Sequence, residues 1–172
     1  NAVLDQIFKK GFLNNLKKEA NQRDIDSNRL IFAKRTKLLS DHLARHQLAD
    51  LSIDSFPYTT GVTCSDALWT SLPVLTRIGN SFASRMAASL LTAIDLPEMI
   101  VKTKKEYRDL AIELATNKEK LNQIKNKLIK NRLTSPLFDA ELFKENIEEL
   151  YLTMYQRYKS NLKLENIEIK NK

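Results

Sequence analysis

Cysteine is almost absent: Cys64 stands alone among 172 residues, so the chain can close no internal disulfide and build no cysteine cage for zinc. That usage fits a reducing compartment, and a cytoplasmic setting is the expectation. Glycine numbers 3 and proline 4, too few for a low-complexity or collagen-like chain. Long apolar runs are missing as well. The most apolar stretch, Phe82 to Val101, is broken by Arg85, Asp95, Pro97 and Glu98, whereas a spanning helix takes about 20 largely apolar residues. The start, Asn1-Ala2-Val3-Leu4, has neither an initiator methionine nor the basic-then-apolar pattern of a secretory signal, so the chain is expected to be a piece of something longer. Neither a Gly-Lys-Ser/Thr phosphate loop nor a Gly-x-Gly-x-x-Gly fingerprint occurs.

What is present suits a folded domain. Apolar residues make up 42% and charged residues 28% of the chain, and a domain of this size buries roughly 70% of the surface its unfolded form exposes. The net charge of +7 is uneven: residues 1–100 carry 12 basic against 10 acidic side chains, and 101–172 carry 16 against 11. The basic residues from Lys118 to Arg132 surround an apolar stripe, which describes the solvated face of a helix, and no nucleic-acid-binding signature accompanies them.

Residues 1–100 alternate short β-type runs with helical patterns, the mark of βα units feeding a parallel sheet. Strands are expected at Val3–Phe8, Leu30–Ala33, Leu51–Asp54 and Pro73–Thr76. Helices are expected over Gly11–Arg23, from a Ser40 cap, from a Thr63 cap with Asp66 three residues on, and over Phe82–Ala93. After Pro97 the pattern is helical throughout, with a capping box at Thr103–Glu106, a break at Pro136 and a last helix from about Asp139. Trp69, Tyr151, Tyr155 and Tyr158 read as packing aromatics, Cys64 as a small buried residue, and Arg85 as a partner for a carboxylate or a helix end. The domain reading is a Rossmann-like core over 1–100 and a helical extension over 101–172 packed on it.

In open parallel sheets ligands sit beyond the carboxyl ends of the strands, where helix N-termini offer unpaired amides to anions. The segment Thr59-Thr60-Gly61-Val62-Thr63 bridges a predicted strand to a predicted helix. Gly61 permits close backbone approach and the threonines supply hydroxyl donors, which outlines a phosphate cradle; an ordinary strand-to-helix connection is the competing reading. His42 and His46, four apart on one helix, lack the accompanying carboxylate of a zinc motif, so no metal is expected.

Several ordered blocks carry a resemblance. Asp41-His42-Leu43-Ala44-Arg45-His46, Ile53-Asp54-Ser55-Phe56-Pro57-Tyr58, Ser65-Asp66-Ala67-Leu68-Trp69, Leu72-Pro73-Val74-Leu75-Thr76, Ser81 to Leu91 and Thr134-Ser135-Pro136-Leu137-Phe138 together resemble the C-terminal catalytic lobe of the protein O-linked N-acetylglucosamine transferase and SPINDLY family, over about residues 30–158. The resemblance implies an α/β, parallel-sheet lobe of a GT-B glycosyltransferase that binds a nucleotide sugar. The expected function is transfer of a sugar, N-acetylglucosamine from its UDP donor, to Ser or Thr hydroxyls, with inversion and without a metal cofactor. It implies that Arg45 bonds the uracil, His42 lies against the nucleoside, Asp66 takes the ribose hydroxyls, and Gly61, Val62 and Thr63 hold the diphosphate, with a minor part for Arg35. The family's His-Thr-Thr is Gly61-Val62-Thr63 here, and the lysine it places three residues before the histidine matched by His42 is Leu39. Its proposed bases lie upstream, so no catalytic residue is named in this chain. The implied partners are the donor, a protein acceptor, an N-terminal catalytic lobe and upstream helical repeats, with no membrane. The SPINDLY branch adds GDP-fucose as a rival donor. The competing function is a non-enzymatic protein- or nucleic-acid-binding module using the basic C-terminal helices.

Overall fold

The computed structural model describes residues 2–169, with side chains from Gly11 onward. The chain forms two compact units, Asn1–Lys37 and Leu38–Lys172.

In the first unit, helix α1 runs Ala2–Asn21. The strand expected at Val3–Phe8 is therefore helical backbone: Asp5 and Gln6 spoil a strand's alternation, and the stretch runs without a stop signal into the helical pattern beyond Gly11. Asp26 caps a 3-10 turn at Ser27–Arg29 by accepting a hydrogen bond from the Asn28 amide at 2.9 Å. The strand expected at Leu30–Ala33 does not form; the segment has no regular secondary structure and no ladder, and Ile31 is 90% exposed. An apolar run becomes a buried strand only where neighbouring strands accept it.

The second unit carries α2 (Leu39–Ala44), a 3-10 turn (Arg45–Leu48), β1 (Ser52–Ile53), α3 (Val62–Trp69), β2 (Val74–Arg77) and α4 (Met86–Ala93). A 3-10 turn (Pro97–Met99), β3 (Ile100–Val101), α5 (Lys104–Thr116), α6 (Lys118–Asn131), a 3-10 turn (Pro136–Phe138) and α7 (Ala140–Lys159) follow. The three strands form one parallel sheet in the order β1-β2-β3, with Ser52 opposite Val74 and Thr76 opposite Ile100. The architecture is α/β. β3 escaped the sequence reading because it is two residues long and lies between a proline turn and a helix cap. Ser40 is not a cap: α2 begins one residue earlier, after Leu38, with no side-chain capping bond.

β2 is the centre, with Val74, Leu75 and Thr76 buried. Leu68 of α3, Leu91 of α4, Leu114 of α5 and Leu121, Ile124 and Leu128 of α6 join it in one apolar cluster with Ile94, Leu96 and Met99. The helices after β3 thus share the core of the sheet. Their ends are set by side chains. Thr103 accepts from the Glu106 amide at 3.1 Å while Glu106 accepts from the Thr103 amide at 3.0 Å, the reciprocal box expected there. Asn117 ends α5 and caps α6, and Asp139 caps α7. On α6, Lys125 pairs with Asp50 and Lys127 with Glu98, so part of its basic face is already paired.

α7 departs from expectation. Tyr151, Tyr155 and Tyr158 are 64%, 59% and 80% exposed rather than packed, because helical spacing shows that an apolar stripe exists, not that this chain covers it. Trp69 is also half-exposed, edge-to-face with Phe138. Among the described residues no helix is long and apolar enough to cross a membrane.

Asp54, the residue after β1, ties these parts together. Its amide donates to Leu75 of β2 at 3.0 Å and its carbonyl accepts from the Tyr107 hydroxyl of α5 at 2.5 Å. Its buried carboxylate accepts from the Ser55 and Thr60 amides and the Thr60 hydroxyl at one oxygen, and from the Thr76 hydroxyl at 2.6 Å at the other. Four donors fix both oxygens, which is how a buried carboxylate is tolerated. Asp54→Ala leaves those donors unmet and should cost about 2–4 kcal/mol in urea unfolding, whereas Thr76→Val should cost about 1 kcal/mol. A loss for Asp54→Ala no larger than for Thr76→Val would show that the carboxylate does not hold the sheet end.

Candidate functional site

The loop from Asp54 to Gly61 is shaped by two threonine anchors. Thr60 is bound through amide and hydroxyl to Asp54. Thr59 is fully buried; its amide and hydroxyl donate to the Ala83 carbonyl at 3.0 and 2.7 Å, and its hydroxyl oxygen accepts from the Ala87 amide of α4 at 3.3 Å. These two threonines therefore do not supply the free hydroxyl donors expected of them; they fasten the loop to the sheet and to α4.

α3 begins on the exposed side of these anchors. Gly61, not Thr63, is the N-cap, and no side chain caps the helix. The reason is steric as well as local: a Cβ on Gly61 would lie 2.6 Å from the Met86 Cε, so the smallest residue sits where α4 comes closest. Val62 and Thr63 are exposed, and their amides fall in the first turn, which has no intrahelical acceptors. Beside them opens a cavity of about 670 Å³, largely apolar, lined by Gly61, Val62, Ile78, Phe82, Met86 and Ile100 among others. Arg85, at the N-terminal end of α4, lines it too; among the described residues it has no carboxylate partner.

Asp66 is not part of a cap. It lies one turn into α3 and its carboxylate turns to α2, with Oδ2 at 3.3 Å from His42 Nε2. On the other side of that ring, Arg45 Nη2 lies 2.6 Å from His42 Nδ1. A guanidinium only donates, so Nδ1 must accept; the ring is then neutral, carries its proton on Nε2 and donates it to Asp66. Arg45, His42 and Asp66 thus form one directed relay, from a 3-10 turn through the end of α2 to α3. His46 stands edge-on to His42 at 5.1 Å and its Nδ1 is 3.2 Å from the Thr70 hydroxyl. Burial lowers the His46 pKa below its ordinary value, with the Arg45 charge acting in the same direction and Asp66 opposing it.

The structure brings His42, Arg45 and Asp66 together and sets Gly61, Val62 and Thr63 at the start of the helix that carries Asp66. Arg35 lies apart in sequence, exposed in an irregular segment of the first unit. Burial pushes the Cys64 thiol up to about 12, leaving a packed, unreactive side chain. Among the described residues no three His, Cys, Asp or Glu side chains gather in a way that could hold a metal. The sequence reading missed Asp54 and Phe82. Neither carries a local signal in the sequence: the Asp54 contacts to Thr60 and Thr76 are made by the fold, not by spacing.

Glycosyl transferase family 41 matches residues 7–147. A UDP-N-acetylglucosamine–peptide N-acetylglucosaminyltransferase of Caenorhabditis elegans is 34% identical over 88% of this chain and 13% of its own length. The probable SPINDLY transferase of Hordeum vulgare is 34% identical over 69% of this chain and 12% of its own. An O-GlcNAc transferase variant of Thermobaculum terrenum superimposes with a TM-score of 0.76 at 27% identity, over 83% of this chain and 27% of that one. The chain spans a small part of each relative, and its α/β architecture matches the corresponding GT-B lobe.

The lowered His46 pKa has a defined sign. The unfolded chain binds the proton more readily, so the contribution of His46 to stability is full above its ordinary value of 6.5 and is lost as pH falls through its folded value. The melting temperature should therefore drop between about pH 7.5 and pH 5.5 by more in the parent than in His46→Gln. Equal drops would show that His46 is not buried against its charge.

Proposed function

We propose, because this chain belongs to glycosyl transferase family 41, that it is the donor-binding part of a protein O-glycosyltransferase, one that transfers N-acetylglucosamine from UDP-N-acetylglucosamine to Ser or Thr hydroxyls. The observation that carries this is the double use of α3, whose free first turn and Asp66 lie one helical turn apart, with the His42–Arg45 relay braced against the carboxylate.

In this reading the diphosphate lies across the amides of Gly61, Val62 and Thr63. Those amides and the helix dipole meet the negative charge that grows on the departing phosphate, and no metal ligand from this chain is called on. Asp66 accepts the two ribose hydroxyls; one of its oxygens also accepts from His42, which fixes the rotamer before the donor arrives. Arg45 reads the uracil edge while one of its nitrogens holds His42. The general base and the N-terminal lobe are supplied by the rest of the protein, together with upstream helical repeats, and the acceptor is a polypeptide. A cytoplasmic setting is proposed, supported by the lone buried Cys64.

UDP should raise the melting temperature of the 172-residue chain, and GDP should not. Calorimetry should give affinity for UDP reduced about tenfold or more in Asp66→Ala and in Arg45→Ala. Unchanged affinity in both variants would remove the site, and a larger shift with GDP or GDP-fucose would reverse the choice of donor. The chain alone should show no turnover on a serine peptide.

A further inference from the structure

We propose that a second cavity, of about 470 Å³ at the carboxyl ends of β1 and β2, binds an anionic side chain of the acceptor polypeptide, a carboxylate or a phosphate. Asp54, Phe56, Pro57, Arg77, Lys104 and Tyr107 line it. Its acceptor identity rests on the transferase reading above; its anion chemistry does not.

Arg77 closes β2, and its guanidinium carbon lies over the face of the Phe56 ring, 3.4 Å from the centroid. The ring itself is backed by Gly79, where a Cβ would come within 3.1 Å of the Phe56 Cε2. Stacking on a ring face occupies no N–H donor, so the guanidinium is held in place with its planar fork unspent. Among the described residues neither Arg77 nor Lys104 has a carboxylate partner. Lys104 opens α5 and brings a second positive charge to the same cavity. The one carboxylate on the wall, Asp54, has both oxygens taken by Ser55, Thr60 and Thr76. Tyr107 donates its hydroxyl to the Asp54 carbonyl, and burial holds its pKa up to about 12, so it adds no negative charge.

The cavity is thus a rigid planar fork and an ammonium group facing solvent across aromatic walls, a match for a carboxylate or phosphate. Its position selects the acceptor. Asp54 lines this cavity and also fastens Thr60, the residue before Gly61, so whatever binds here lies next to the loop assigned to the diphosphate without using any of its amides.

The test is an NMR titration of the full chain, following the Arg77 Nε–Hε signal and the Phe56 and Tyr107 rings. The probes are short blocked peptides with a central serine flanked by glutamates, by phosphoserines or by glutamines, and inorganic pyrophosphate. The glutamate or phosphoserine peptide should shift these signals and the glutamine peptide should not; the stronger of the two names the anion. Binding should weaken about fivefold or more in Arg77→Gln and in the surface variant Lys104→Gln, and should fall between about 50 and 200 mM salt. No shift with either acidic peptide, an equal shift with the glutamine peptide, or unchanged binding in both variants overturns the proposal. So does a response to pyrophosphate alone, which would give the cavity to donor phosphates. UDP affinity measured on the same samples separates the two readings: acidic peptides failing while UDP binds removes only this inference, and peptides binding while UDP fails removes the donor site.

Discussion

A single buried carboxylate constrains the working end of this lobe. Asp54 stands where β1 stops, and a parallel sheet needs something there to decide how the chain leaves for the next helix. Its backbone continues the ladder to β2 and receives α5, while its side chain gathers the Thr60 and Thr76 donors. The loop before α3 is therefore not free to choose its path. Because each donor meets the carboxylate in a dry setting, the arrangement is strong when complete and costly when any part is missing. The approach to α3 and one wall of the cationic cavity around Arg77 take their positions from that group, while Thr59 fastens the same loop to α4.

Two kinds of polar grouping follow from this, and they differ in what they spend. Thr59 and Thr60 use their hydroxyls on the protein and build geometry. The amides of Val62 and Thr63 are left unspent by the helix itself. His42 lies between these extremes, since its ring transmits the Arg45 donor to Asp66 and leaves the carboxylate further lone pairs for a ligand. A site that combines spent anchors with unspent acceptors and donors is preorganised without being self-saturated.

The legible part of the fold was the part with local causes. The Thr103–Glu106 box, the Pro136 break and the Asp139 cap are short-range chemistry and form where their residues stand. β2 was visible because Val74, Leu75 and Thr76 are buried on both faces. Val3–Phe8 and Leu30–Ala33 misled because an apolar run carries no information about whether a partner strand exists. Tyr151 and Tyr158 misled for the related reason that a stripe does not name its cover. At the site, the grouping of His42, Arg45 and Asp66 was legible only through resemblance, since 21 residues separate Arg45 from Asp66 and no spacing rule spans them. The role of Asp54 needed the structure: whether a threonine hydroxyl faces a ligand or a buried carboxylate is decided by the turn it occupies.

Gly61 shows how the departure from the family's histidine is accommodated. A side chain there would begin 2.6 Å from the Met86 Cε, the flexible end of a thioether, so one extra carbon is met by rotating Met86 aside. A full imidazole is a different demand, because it must share the space that Phe82, Met86 and Val62 now border. Glycine lets α4 close on the loop while its own amide stays at the helix start. Residues 61 and 86 are thus coupled through one contact, and a larger side chain at 61 is compatible with this lobe only together with a smaller or displaced one at 86.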